Sequence, residues 1–384
     1  MEKETNVITY LYVDDNVEGR NSIQNFLEKD VLDIKVIQPT EKRREIIKML
    51  KDYDGLIVDQ QLDEKTNSDG KVSDYLGSSL ASDIRVIENG SINEDISVPI
   101  ILLSANPNVP PTLYSLGEEI FDFKIYKTDD NYKEFAKNIP MYKSQMISLV
   151  KGYNVLKEVK AKEQDPKKPS VFESLKLRDD LSIIDSRFLD ELKRRDAFTA
   201  HSKASFILNE LIIKQGILVD EDILAVRLGV DKKKSHDGWL KVLTELENFG
   251  VKYEGVFCEG WPRWWMPMVE KWWSERMQEE SYLQFLSASE RVKIISQKLE
   301  IRLVVAVAES RFSDKDTYWT LCNSSNEPLA IENGLMLPGQ DSLYPWQDAK
   351  YFSIMSAIDQ SLDVADFEKE RLSYYKKLLK PSQK

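Results

Sequence analysis

The stretch LYVDDN, residues 11–16, closes an apolar run with two adjacent carboxylates, Asp14 and Asp15. The run, NVITYLYV (6–13), is nearly continuous in apolar residues, as a strand covered on both faces is. Two like charges in contact repel, and burial adds to the cost. The pair therefore belongs in solvent or around something positive. Four further apolar runs follow: IKVIQP (34–39), GLIVD (55–59), VPIILLSA (98–105) and FKIYK (123–127). Helical patterns separate them, among them RNSIQNFLEK (20–29), with Ile23, Phe26 and Leu27 on one face, and EKRREIIKMLKDY (41–53). This alternation predicts an α/β fold built on a doubly wound, five-stranded parallel sheet. Ligands bind such sheets at the carboxyl ends of the strands, near the point where the strand order reverses. Asp14 and Asp15 end the first run, Asp59 the third, Ser104 the fourth and Lys127 the fifth. All five are expected on one edge of the sheet.

These residues carry a resemblance. With VDD at 13–15, LIVD at 56–59, LLSA at 102–105 and YK at 126–127, residues 6 to about 135 resemble the receiver domain of two-component response regulators, a flavodoxin-like fold. The resemblance implies phosphoryl transfer from a histidine kinase or a phosphotransfer protein to Asp59. It implies a magnesium ion held by Asp15, Asp59 and the carbonyl of Gln61, with Asp14 acting through water. It also implies that Ser104 and Lys127 contact the phosphoryl group, for which the small Ala105 leaves room. Such chemistry is mostly positioning and charge neutralisation, because a carboxylate is a weak nucleophile toward an anionic phosphoryl group.

Three features depart from the family pattern. Asp59 and Ser104 are 45 positions apart (104 − 59), more than in compact receivers. DEKTNSDGKVSDYLG (63–77) therefore predicts a polar loop beside the site, ahead of a helix beginning GSSLASDIR (77–85). Thr128 stands where the family has proline after its lysine. Lys124, with Phe123 beside it, occupies the place of the aromatic switch residue. The phosphoacceptor set is complete, while the route by which the signal leaves differs.

Composition narrows the rest. The 384 residues suggest two or three domains, and 42% apolar with 31% charged residues is ordinary globular material. No apolar run reaches the roughly 18 residues of a membrane span, and MEKETNVITY lacks the pattern of a signal peptide. Two cysteines and two histidines make neither a disulfide framework nor a structural zinc site, and a cytoplasmic protein is expected. Residues 1–130 hold 26 acidic and 14 basic side chains, a net of −12, and the remainder balances at 39 each. A domain boundary near 130 and a poor nucleic-acid surface before it follow.

The expected organisation is a receiver at 1–135, a long helix and charged linker at 136–170, a mostly helical output region at 171–300 and an α+β part at 301–384. MYKSQMISLVKGYNVLKEVKAKEQ (141–164) is an amphipathic helix that either packs on its own sheet or forms a homodimer, and Gly152 weakens it by up to about 1 kcal/mol. KEQDPKKPS (162–170) reads as a linker. Segment 221–257 has the pattern of a winged helix, with Lys232, Lys233 and Lys234 as local positive charge, although Glu245 and Glu247 weigh against DNA. IRLVVAVAESRF (301–312) and DTYWTLC (316–322) read as a strand pair, and DFEKERLSYYKKLLK (366–380) as a helix. Six of the eight tryptophans fall within 239–273. Trp261, Trp264 and Trp265 are expected mainly in a small core, with one or two at an interface. The expectation is a response-regulator-like signalling protein that controls a non-standard output module through protein interaction. A DNA-binding regulator acting through 221–257 is one alternative; a receiver-controlled effector enzyme with a Trp-rich site near 258–273 is the other.

Overall fold

The computed structural model describes residues 7–16, 31–40, 42–63, 70, 72–90, 96–104, 119–126, 132–159, 167–177, 184–309 and 311–379. The helix read at 20–29, the residues Ala105, Lys127 and Thr128, and positions 160–166 of the linker lie outside them.

Five apolar runs form strands: β1 (Ile8–Val13), β2 (Leu32–Ile37), β3 (Gly55–Asp59), β4 (Ile100–Ser104) and β5 (Phe123–Tyr126). All pair in parallel, in the order β2-β1-β3-β4-β5, which is the doubly wound arrangement. The order reverses at β1, which has β2 on one side and β3 on the other. The carboxyl ends of β1 and β3 therefore lie side by side, with Val13 in register with Val58. Leu11, Val13, Leu56, Val58, Ile100 and Leu102 supply one buried face of the sheet. Ile46 and Ile47 of the helix Arg43–Met49, and Leu80, Ala81 and Ile84 of the helix Gly77–Gly90, pack on it. Each such aliphatic side chain contributes about 1.5–3 kcal/mol when fully removed from water.

The chain divides into two compact units, neither continuous in sequence. The first comprises Met1–Leu177, Leu189–Glu210 and Glu254–Trp261; the second comprises Arg178–Phe188, Leu211–Tyr253 and Pro262–Lys384. The boundaries expected at 135, 170 and 300 are not among these limits.

Within the first unit, the long helix runs over Tyr132–Glu158 and contains Pro140. It packs on its own sheet. The Tyr10 hydroxyl donates to the Met146 carbonyl at 2.8 Å, and Met146, Leu149, Val150, Tyr153 and Leu156 are buried. Gly152 has a packing reason: a Cβ there would lie 2.1 Å from the Phe257 ring. The buried Lys203 ammonium closes the end of this helix, donating to the carbonyls of Leu156 at 3.2 Å and Val159 at 2.7 Å. A cation at the carboxyl end of a helix suits both its last carbonyls and its dipole.

The second unit corrects several expectations. The winged-helix pattern begins well, with helices Glu221–Arg227 and Asp237–Phe249, but a one-turn helix, Lys232–Ser235, intervenes. After the second helix, VKYEGVF (251–257) pairs antiparallel through its first residues with 263–265. Lys252 bridges Trp264, the Tyr253 N–H donates to the Arg263 carbonyl at 2.8 Å and the Trp265 N–H to the Val251 carbonyl at 2.9 Å, while the end of the segment belongs to the first unit. Among the described residues of IRLVVAVAESRF no strand forms; Val305 bridges Val230, flanked by hydrogen bonds from the Asp231 N–H to the Val304 carbonyl and from the Ala306 N–H to the Gly229 carbonyl, each 2.8 Å. The strand expected opposite it shrinks to Thr320–Leu321, which pairs with Pro328–Leu329. The terminal helix forms at Lys369–Leu379. Trp264 and Trp265 form a two-residue strand against Leu218 and Val219, ahead of the helix Met266–Trp272. Trp264, Trp265 and Trp272 are at most 3% exposed, and Trp261 in the first unit is 7% exposed. They are core, so the Trp-rich surface expected near 258–273 is absent.

Candidate functional site

Asp14 follows β1 directly, Asp15 comes next, and Asp59 is the last residue of β3. Neighbouring parallel strands thus bring together residues 45 positions apart (59 − 14). One carboxylate oxygen from each lies within 4.8 Å of the other two. Asp14 and Asp15 are buried, and Asp59 is half-buried. Asp14 is held in place: it accepts hydrogen bonds from the Tyr12 hydroxyl and, at 2.7 Å, from the Asn16 N–H. Asp59 Oδ1 accepts the Gln60 N–H at 2.9 Å. Three carboxylates this close repel strongly unless a cation lies between them. The donor set, all oxygen and partly buried, suits a hard divalent ion, and the bonds orienting Asp14 are the outer-shell support that such sites use.

Ser104 ends β4, one residue beyond Leu103, which registers with Asp59. It is buried on the same edge as the carboxylates. Gln61 is exposed, two residues past β3. Ala105 and Lys127 lie outside the described residues.

The described residues of the segment after β3 are anchored. Leu62 and Tyr75 join the core, Ser73 donates to the Leu62 carbonyl, and the Tyr75 hydroxyl reaches the Thr40 carbonyl at 2.9 Å. Burial pushes the Tyr75 phenol up to about 12. The segment returns to the site at Gly77, whose N–H donates to the Gln60 carbonyl at 3.0 Å. A Cβ on Gly77 would sit 2.1 Å from the Asp59 carbonyl oxygen, so no larger residue fits there. The Gln60 amide also donates to the Ser78 hydroxyl.

At β5 the side chains take unexpected partners. Lys124 pairs with Glu119 at 3.1 Å. Phe123 meets Trp261 edge to face, with ring centroids 5.7 Å apart, and lies 6.1 Å from Tyr142. Segment 254–261 is fastened to the long helix by Glu259, which pairs with Lys151 and accepts the Ser144 hydroxyl through its carbonyl. Sequence reading missed this contact, because nothing local ties Trp261 to a strand 138 positions earlier (261 − 123).

It also missed a buried charge cluster at the amino ends of β4 and β5. Asp122 accepts from Arg85 at 2.7 Å, from the Ile100 N–H at 2.7 Å and from the Tyr153 hydroxyl at 2.6 Å, with His201 Nδ1 at 3.3 Å. Arg85 also binds Glu88, which accepts from the Ser97 hydroxyl and, at 3.2 Å, from the His201 N–H. Burial alone would raise the Asp122 pKa, but Arg85, His201 and the Tyr153 hydroxyl together hold it below its ordinary 3.8. The one sequence signal was Arg85 and Glu88 on the same helical stripe as Leu80, Ala81 and Ile84.

The basic run of the second unit is neutralised locally. Lys232 pairs with Glu221 and Asp222, and Lys234 with Asp231. No helix among the described residues is long and apolar enough to cross a membrane.

No family model matches the chain, and no curated protein matches it. Solved structures do. The chain is similar to the complex of histidine kinase ThkA with response regulator protein TrrA, at 22% identity, TM-score 0.23, over 35% of this chain and 98% of that one. It is similar to the receiver domain of sensor histidine kinase PA1611 from Pseudomonas aeruginosa, a structure with magnesium in its active-site cleft, at 17% identity, TM-score 0.22, over 35% and 98%. It is also similar to the Saccharomyces cerevisiae complex of phosphotransfer protein Ypd1 with the receiver domain of Ssk1, at 19% identity, TM-score 0.23, over 36% and 89%.

Proposed function

We propose that the N-terminal sheet is a phosphoacceptor receiver whose phosphorylation on Asp59 controls the remainder of the chain. The observation that carries this reading is the convergence of Asp14, Asp15 and Asp59 at the reversal point of the sheet. In the reaction, an Asp59 carboxylate oxygen forms a bond to phosphorus while the bond between phosphorus and the donor's leaving group breaks. The donor is the phosphohistidine of a kinase or phosphotransfer protein, and the departing imidazole nitrogen takes up a proton from solvent. Asp14 and Asp15, with Asp59 and the Gln61 carbonyl, would hold magnesium. When bound, the ion offsets charge on the carboxylates and on the phosphoryl oxygens. The Ser104 hydroxyl donates to a phosphoryl oxygen, Ala105 leaves space for the group, and Lys127 pairs with the acyl phosphate. Rigid return of the chain at Gly77 keeps the Asp59 backbone fixed.

The signal leaves by a route suited to this chain. Phe123 stands on β5, in the sheet that carries the acceptor, and touches Trp261, after which the chain enters the second unit. A new dianion at Asp59 adds about −1.5 to −2 charge and three acceptors, and it biases the packing of β5 and so of Trp261.

The test is incubation of the full-length protein with magnesium and a small acyl-phosphate donor, followed by intact mass measurement. Wild type gains one phosphoryl group, and Asp59→Asn gains none. Equal labelling of the variant sinks the assignment.

A further inference from the structure

Arg227 ends the helix Glu221–Arg227, and its charge is fully engaged. Its side chain is 3% exposed, and it pairs with Asp348. Its guanidinium lies 4.6 Å over the Trp319 ring and donates to the Trp319 carbonyl at 3.2 Å. Beside this group the second unit forms an open cleft of about 560 Å³, within the usual range for small-molecule sites.

The facing wall is the helix Met266–Trp272 and the π-helical turn Trp273–Met277 that continues it. Pro267, Glu270, Lys271 and Ser274 follow the three-four spacing of one helical face, and Glu275 joins them. Single π turns inside helices occur frequently at functional sites. The remaining wall is set before any ligand arrives. Trp346 lies stacked on Tyr344 at 4.6 Å and edge-on to Phe188 at 5.2 Å, and its carbonyl accepts the Ile217 N–H at 2.8 Å. Such preorganisation lowers the entropy lost on binding.

The charge around the cleft selects the ligand. Four acids, Asp185, Glu270, Glu275 and Asp348, face two bases, Arg227 and Lys271, a formal balance of −2 (−4 + 2). Arg227 and Asp348 offset each other, and Arg187 binds Asp185. Glu270 has no such direct partner. Burial raises its pKa, countered by one backbone hydrogen bond from Leu283 and the charges of Arg227 and Arg291. A carboxylate whose ionised form is disfavoured by burial is stabilised by a cation placed beside it. Phosphate or carboxylate ligands meet the opposite field. The buried Trp346 and the half-buried Trp319, whose ring already carries the Arg227 guanidinium, add apolar surface to the lining.

We propose that this cleft binds a small organic cation, an amine or amidine on a compact apolar body, with its charge against Glu270 and its body against Met266, Trp319 and Trp346. Asp59 is not among the residues that line the cleft.

Titration calorimetry on the full-length protein tests it with two probes of like shape and opposite charge, phenethylamine and phenylpropionate. The amine binds saturably, and the acid binds at least about tenfold more weakly. Glu270→Gln, with an unchanged melting temperature, weakens the amine by roughly tenfold. Lys271→Gln strengthens it. No saturable amine binding, or acid binding as tight as the amine's, overturns the proposal. So does a folded Glu270→Gln protein with unchanged affinity. Should that variant not fold, Lys271→Gln decides: unchanged or weaker amine binding refutes the site.

Discussion

Asp122 illustrates how a single buried charge is tolerated. Four donors surround it, and one of them, Arg85, is itself wholly buried and shared with Glu88. Removing one partner of a buried pair leaves the other uncompensated and costs about 3–5 kcal/mol. Arg85→Leu is therefore expected to lower unfolding free energy by that order, measured by denaturant titration; a loss under about 1 kcal/mol would show that the cluster is solvated. The pH dependence has a definite sign. The folded-state carboxyl of Asp122 titrates below its ordinary 3.8, so the unfolded chain binds the proton first. Its contribution is complete above pH 3.8 and is lost as pH falls through the lower, folded value. In Asp122→Asn that part of the acid loss should vanish. An unaltered acid-unfolding curve below pH 3.8 would remove Asp122 from the account.

At the scale of elements, the turn at Gly77 and the contact of Phe123 with Trp261 make separate predictions. Gly77→Ala places a methyl against the Asp59 carbonyl, a backbone atom that cannot rotate away. The expected cost is about 1–3 kcal/mol of stability, with slower phosphoryl labelling of Asp59. A variant as stable and as fast as wild type would mean that the turn relaxes freely. Phosphorylation should alter tryptophan emission, and Trp261→Phe should remove most of that change. If the change survives in full, the signal does not pass through Trp261. Which elements were legible has a physical basis. The five strands were, because a parallel sheet covered on both faces writes unbroken apolar runs such as YLYV and IILLS. Asp14, Asp15, Asp59 and Ser104 were, because each position follows directly from where its strand stops. LVVAV at 303–307 misled, since β-branched apolar residues suit any extended segment and it is the partner strand that is missing. The role of residues 189–210 and 254–261 in the first unit was not legible, because Lys203, His201 and Trp261 act on partners dozens of positions away.

At the scale of the whole molecule, the unit built on the five-stranded sheet does not end with its last strand. A fragment stopping at residue 135 keeps the five strands but loses nearly all of the long helix whose Met146 carbonyl receives Tyr10. One stopping at 177 still lacks His201, Lys203 and Trp261. Both are expected to unfold at lower denaturant than the full chain and to bind a dye that reports exposed apolar surface. A fragment of 1–135 as stable as the intact protein, with no dye binding, would contradict this. The same threefold interleaving has a consequence during synthesis. Segment 254–261 leaves the ribosome 126 residues after position 135 (261 − 135), which at about 5–20 residues per second is a delay on the order of ten seconds. Throughout that interval Phe123 lacks its contact with Trp261. The first unit therefore completes its packing only after residue 261 has been made.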